Sequence, residues 1–166
     1  TGTDYISVPY NITSNTFTVE VIASFNPTSY WATIWANETY SQSRGYFSHM
    51  LNSTSISYGK TQSSTNETIT ASNAIRQWIF VPNETQHSLY LNGTQVGTTD
   101  TVAAQTLFGN NDFYFGARHQ NSGVSPGVDK MNNSTAANYP VFYQMRVYNK
   151  ALNTTEITQN YNAVKA

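Results

Sequence analysis

The chain has 166 residues, enough for one domain with a buried core. Only 10% of them are charged, the net charge is -1, and four Lys and four Arg are dispersed singly, so the chain has neither a basic footprint for nucleic acid nor a cationic face for a membrane surface. Cysteine is absent, which excludes disulfides and thiolate metal sites, and no apolar run approaches the roughly 20 residues that span a bilayer.

The predicted elements are strands nearly everywhere. "DYISV" (4–8) is a short β-rich run, and "FTVEVIASF" (17–25) alternates Phe17, Val19, Val21, Ala23 and Phe25 against Thr18, Glu20, Ile22 and Ser24, a strand with one core face. "ATIWA" (32–36), "GYFSHML" (45–51) and "SISYG" (55–59) follow. "QWIFV" (77–81) is expected to stop at Pro82, which has no N–H for a central ladder. In "SLYLNGTQVGT" (88–98), Asn92-Gly93 between two apolar runs predicts a tight hairpin. "DFYFGA" (112–117) and "VFYQMRVYN" (141–149) complete the strands. After Lys150, Asn153 stands three residues before Glu156, the pattern of a helix N-cap with a capping-box partner. Turn residues recur about every 8 to 12 positions, which predicts a single all-β domain, a two-sheet antiparallel sandwich. Val19, Val21, Phe25, Trp78, Leu89, Leu91, Phe115 and Val147 are its expected inward residues. From His119 to Pro140 no period is visible, and the segment reads as one long loop of the functional kind.

Asn-x-Ser/Thr sequons are in excess. Nineteen Asn, with 40 Ser plus Thr in 166 residues, would give about four to five by chance, whereas nine occur: Asn11, Asn37, Asn52, Asn66, Asn83, Asn92, Asn132, Asn133 and Asn153. The excess points to a secreted, N-glycosylated protein. Asn11, Asn37, Asn66 and Asn132 or Asn133 read as loop positions and are the expected occupied sites; Asn153, engaged as a helix cap, is expected to be used least. The chain begins at Thr and carries no signal peptide, so it reads as a processed or excised piece of something longer.

Taken in order, four segments resemble the laminin-G-like, concanavalin-A-like jelly-roll family: "GTDYISVP"; "TFTVEVIASFNP"; "QWIFVPNETQHSLYLNGTQVG"; and "DFYFGAR" with "FYQMRVYNKALNTTEI". The resemblance reaches from about Gly2 to the C-terminal helix. It implies a jelly roll whose last long strand pairs beside the first, with a short helix covering the open end and anchored by Leu152 and Ile157. It also implies a lectin-type activity. Where the family's hairpin usually carries Asp, this chain has Asn92, and no loop groups its carboxylates, so the calcium of some relatives is not supported and no cofactor is expected.

Catalysis is not expected. Glycoside hydrolysis needs two carboxyl groups at roughly 5 to 9.5 Å, and a strand supplies them only at i and i+2 or i+4. The nine acids are all at least ten residues apart, so no one strand carries such a pair. His49, His87 and His119 are isolated, without zinc spacing, and no GxSxG elbow exists.

Two function classes remain open. The first is an extracellular recognition module for glycan or glycoprotein, acting in adhesion or host attachment. Aromatic rings and fixed polar groups would make its site. The early segment offers Tyr30, Trp31, Trp35, Tyr40 and Tyr46; the long loop and its borders offer Arg118, His119, Asn121, Asp129, Lys130, Asn138 and Tyr139. Trp35, Trp78, Phe17, Phe25 and Phe115 read first as core. The second class is a structural, glycan-coated outer domain of a virion, pilus or cell-surface layer, in contact with other subunits. Its polarity rests on Asn, Ser, Thr and Tyr, which do not titrate in acid. That composition resembles surface and viral proteins of acid-dwelling archaea.

Overall fold

The computed structural model describes residues 5–9, 14–24, 32–37, 45–52, 54–60, 63–69, 74–101, 112–121, 126–130 and 141–165. Among the described residues, thirteen strands precede one helix: β1 (Ile6–Val8), β2 (Thr18–Ser24), β3 (Ala32–Ala36), β4 (Tyr46–Asn52), β5 (Ser55–Lys60), β6 (Ser63–Thr68), β7 (Ile75–Asn83), β8 (Gln86–Leu91), β9 (Thr94–Thr101), β10 (Phe113–Phe115), β11 (Ala117–Asn121), β12 (Pro126–Lys130), β13 (Val141–Tyr148) and α1 (Thr154–Lys165). A six-stranded sheet runs β1-β10-β3-β4-β5-β6, a five-stranded sheet runs β13-β2-β7-β8-β9, and β11-β12 forms a separate pair. All pairings are antiparallel. The expected jelly-roll sandwich is the fold found.

Alternation builds the core between the sheets. Val19, Val21, Trp78, Leu89 and Phe115 are buried there, with Leu91 and Val147 packed partly buried at its margin; Phe25 lies outside the described residues. Trp35 meets Phe17, Phe80 and Phe113 at centroid distances of 6.1, 5.7 and 5.8 Å, so one ring bridges both layers. Each fully buried large side chain stabilises the sandwich by roughly 1.5–3 kcal/mol.

The second face of the five-stranded sheet is also covered, contrary to the one-faced strand expected over 17–25. Six of the seven β2 residues are buried, Glu20 among them at 0% exposure. Glu20 and Ile79 are cross-strand partners, as are Ile79 and Tyr90, so they share the outer face. There Ile79, Val81 and Tyr90 form a second apolar cluster with Leu152 and Ile157 of the C-terminal segment. Leu152 and Ile157 are thus the helix anchors, but α1 covers the outer face of this sheet rather than the open end of the sandwich. The last strand, β13, pairs with the first long strand, β2, while β1 joins β10 in the other sheet.

The helix starts as its sequence dictates. Asn153 Oδ1 accepts from Glu156 N at 3.0 Å, and Glu156 Oε2 accepts from Asn153 N at 3.0 Å, a complete capping box. Leu152 before the cap and Ile157 one turn in are both buried, forming the hydrophobic staple. Lys150 donates to the same carboxylate, and this bond and the Asn153 amide hold the Glu156 carboxyl below the usual carboxylate range. A carboxyl lowered in the folded state contributes stability above its unfolded pKa, and loses it as pH falls through the folded value. The expected result is a thermal gap between the wild type and Glu156→Gln near neutral pH that closes as the pH drops below the carboxylate range. Melting curves across pH check it, and a gap unchanged into acid refutes it.

Three further local features differ from or refine the expected elements. Strand β7 continues through Pro82, paired to His87, because the strand needs only the Pro82 carbonyl, which accepts from Phe17 N at 3.2 Å. The β8–β9 turn has φ of 51° at Asn92 and 75° at Gly93, the doubly positive signature of a type I′ hairpin. The segment from His119 to Pro140 is not one loop: β11 and β12 occupy part of it.

Candidate functional site

The β11–β12 hairpin gathers five of the residues singled out in the sequence. Strand β10 carries Phe113 and Phe115 into the core, and Gly116, at φ 79°, then redirects the chain while its N–H still bonds Ile34 O at 3.2 Å. Glycine takes that left-handed conformation without the cost another residue would bear. The following β11 holds Arg118, His119 and Asn121; β12 holds Asp129 and Lys130. Backbone register sets Arg118 opposite Asp129, Ala117 opposite Lys130, His119 opposite Val128, and Asn121 opposite Pro126. Tyr139, like Asn138, Tyr30, Trp31 and Tyr40, lies outside the described residues.

Tyr46 does not belong to this site. It is 2% exposed, its hydroxyl donates to Asn15 Oδ1 at 3.0 Å, and its ring packs edge-on against Phe17 at 5.1 Å and His87 at 5.6 Å. Burial pushes its pKa above the ordinary tyrosine value. Sequence could not tell which side of β4 faces inward, so a core ring was grouped with surface ones. Trp35, also in the early group, is core at 1% exposure.

Exposed aromatics that the sequence did not single out lie at the strands that adjoin β10 and β2. Tyr5 is 40% exposed and packs on Tyr114, centroids 5.9 Å apart. Its neighbour Ile6 pairs with Phe115, two residues before β11 begins. On the facing sheet edge, Phe142 touches Phe115 at 6.4 Å, and next to it Tyr143 is 56% exposed at a bulge in β13. The signal for this grouping is the β1–β10 pairing, which joins residues more than a hundred positions apart.

Among the described residues, the cavity between the sheets is too small for a small-molecule ligand. It has a volume of about 10 Å³ and is lined by Trp35, Tyr46, Tyr58, Phe80 and His87 among others. That is room for one water, against the several hundred Å³ of a small-molecule pocket. Among the described residues, no group of three or more His, Asp or Glu could hold a metal ion. Nor is any described helix long and apolar enough to cross a membrane.

Several of the described carboxylates serve local structure. Glu20 is buried under α1, Asp112 accepts from Ser7 Oγ at 3.0 Å, and Glu156 closes the capping box. Asp100 of β9 and Glu67 of β6 both act on Tyr58. Tyr58 donates to Asp100 Oδ2 at 3.4 Å, and burial, then the charges of Asp100 and Glu67, raise the Tyr58 pKa. The flexible carboxylate end of Glu67 lies where a Cβ on Gly97 would sit, and it is the positive φ of Gly97 (+65°), within β9, that favours glycine there. Asp4 and Glu38 lie outside the described residues.

Comparison with known proteins agrees with this architecture. Solved structures of similar fold include botulinum neurotoxin type C, in a study of cell entry dependent on two ganglioside molecules (TM-score 0.69, 13% identity, 100% of this chain and 42% of that one). The receptor-binding domain of botulinum neurotoxin type G matches at TM-score 0.67 and 12% identity, over 98% of this chain and 45% of that one. The binding domain of botulinum neurotoxin DC in complex with rat synaptotagmin II matches at 0.70 and 14%, over 99% and 41%. This chain thus spans less than half the length of those chains, and such identities show a shared fold. No curated protein matches the chain in sequence. The family model of the concanavalin A-like lectin/glucanases superfamily, in its third laminin G form, matches residues 1–158, and the chain belongs to that family.

Proposed function

We propose that this chain is a non-catalytic extracellular recognition module, a single domain of a longer surface protein, which binds glycan or glycoprotein through the flank formed by β11–β12, β1 and the start of β13. The observation that carries this reading is the pair of exposed rings, Tyr5 and Tyr143, at the edge strands beside β10 and β2, with a hairpin rich in polar residues following β10. Such rings stack on the apolar faces of sugars, and the polar groups suit hydroxyls. Fold relatives that bind gangliosides or synaptotagmin support the class of ligand, although those activities belong to chains more than twice as long. No step of hydrolysis is assigned, because the nine acids lie too far apart in sequence for one strand to carry a pair, and Glu20, Asp112 and Glu156 are engaged in local structure. Single-site sugar affinity is weak as a rule, so attachment relies on several copies displayed together.

A second reading has a specific observation in its favour. Ile75 and Val141, 55% and 50% exposed, stand on either side of Ser24 in the strand register, two exposed apolar residues at the starts of β7 and β13. In that reading the flank packs against a neighbouring subunit of a surface layer or virion. Two variants separate the readings: Tyr143→Ala, and deletion of residues 121–137. Recognition predicts that each lowers binding to a glycan array or to target cells about tenfold or more, equivalent to roughly 1.4 kcal/mol or above, with assembly intact. Lost assembly with cell attachment preserved overturns it. Running the array with and without chelator tests the expected independence from calcium.

A further inference from the structure

The sequons divide by what their carboxamides do in the fold. Glycan transfer forms a bond between Asn Nδ2 and the anomeric carbon of a lipid-linked oligosaccharide. The bond from that carbon to the phosphate oxygen breaks, the phosphate leaves as an anion, and Nδ2 gives up one of its two protons. Oδ1 keeps its acceptor lone pairs throughout. An Asn can therefore cap or brace the fold through Oδ1 and still carry a sugar, provided Nδ2 faces solvent. It cannot do so where the whole side chain is buried.

Asn37 is such a buried case. It is 7% exposed, Oδ1 accepts from Tyr46 N at 2.8 Å, and its own N–H donates to Tyr46 O at 3.0 Å. This two-way bridge ties the end of β3 to the start of β4, beside a Tyr46 that is itself core. It is not the loop position its sequence suggested. A glycan there would pull the carboxamide out and leave the Tyr46 amide without its acceptor. Asn66, Asn83 and Asn153 are exposed. Asn83 Oδ1 accepts from Thr16 Oγ1 at 3.2 Å and Asn153 Oδ1 from Glu156 N at 3.0 Å, bonds that a substituent on Nδ2 leaves in place. Asn52 and Asn92 are half-buried, the latter beside a Gly93 packed near Tyr161, and they fall between these cases. Asn11, Asn132 and Asn133 lie outside the described residues.

We propose that Asn66, Asn83 and Asn153 are the glycan-accepting positions of the described surface and that Asn37 stays unmodified in the folded protein. This rests on reading the chain as an N-glycosylated surface protein. Of the three accepting positions, none lies on β1, β10, β11, β12 or β13, so their glycans would leave the hairpin flank accessible.

The test uses the chain secreted through an N-glycosylating pathway and isolated as folded monomer, alongside material from its native source. Peptide-N-glycosidase converts each glycosylated Asn to Asp, which peptide mass mapping reads. The expected result is conversion at Asn66, Asn83 and Asn153 in most molecules and none at Asn37. Thr155→Ala should remove the Asn153 glycan with the melting temperature unchanged, since the cap survives. Asn153→Ala should remove the glycan and also lower the melting temperature by a few degrees. Conversion at Asn37 in the folded fraction, or failure of the three exposed sites while others convert, overturns the map. No conversion anywhere in native material instead overturns the glycoprotein reading on which it rests.

Discussion

Trp35→Ala is expected to destabilise the domain by about 3–5 kcal/mol, the range for removing a large buried aromatic. The ring is 1% exposed and touches Phe17 near the start of β2, Phe80 of β7 and Phe113 of β10, so its loss opens a void at the joint between the two sheets. Against a typical total of about 5–15 kcal/mol, such a loss leaves a marginal fold. Trp35→Phe supplies the control. Among the described residues, the indole Nε1 is buried without a hydrogen-bond partner, so the Phe variant gives up volume but no hydrogen bond. It should cost distinctly less than the Ala variant. Urea unfolding at unchanged m-value measures both, and a loss under about 1 kcal/mol for Trp35→Ala would show that the cluster does not join the layers.

Glu20→Ala is the second large effect, and its mechanism is polar. The Glu20 carboxylate accepts from Gln77 Nε2 at 2.7 Å on Oε1, and on Oε2 from Tyr148 Oη at 2.6 Å, Arg146 Nη1 at 3.1 Å and Asn160 Nδ2 at 3.1 Å. Asn160 also donates to Tyr148 Oη at 2.9 Å. Removing one partner of a buried charged cluster costs about 3–5 kcal/mol, because the donors left behind have surrendered their water. Glu20→Gln does not restore the site. Whichever way the amide turns, its NH₂ meets Gln77 on one side or Arg146 and Asn160 on the other, and an unmatched donor costs about 1–3 kcal/mol. The expected order of stability is therefore wild type, then Gln, then Ala, with α1 amides exchanging faster in both variants. Burial of the cluster also raises the Tyr148 pKa. If Glu20→Ala unfolds within about 1 kcal/mol of the wild type, the cluster is not what fastens α1 to the sheet.

Local signals were legible in the sequence and long-range ones were not. Asn92-Gly93 and Asn153 with Glu156 each specify their geometry within a few residues, and both elements form as expected. The order of apolar alternation likewise announced the sandwich. Strand β6 escaped notice because Ser63–Thr68 is wholly polar and pairs only with β5 at the sheet margin, so no buried face marks it. The β11–β12 hairpin was hidden by Gly127 and Pro126, which read as turn residues although β12 begins at that proline. Glu20 looked solvent-facing by alternation, and only Arg146, Tyr148 and Asn160, well over a hundred residues away, reveal that a third layer covers it. For the site, the sequence located the hairpin's polar residues but could not place Tyr5 or Tyr143 at the strands that adjoin β10 and β2, since that depends on which strands become neighbours.

The Glu20 cluster also sets an order of events during synthesis. Glu20 leaves the ribosome 126 residues ahead of Arg146 and 140 ahead of Asn160. Until those late residues appear, β2 exposes a charge on a face that will be dry, and it also lacks its β13 neighbour. The nascent chain therefore cannot complete its five-stranded sheet progressively from the N-terminus. Closure waits for residues 141–160, and pairing so distant in sequence is slow. A chain stalled before that point presents the unpaired flank of β2, a template for joining another copy. The helix that seals the sheet thus acts as a late checkpoint: a molecule that has docked α1 has, of necessity, already been translated through its closing strand.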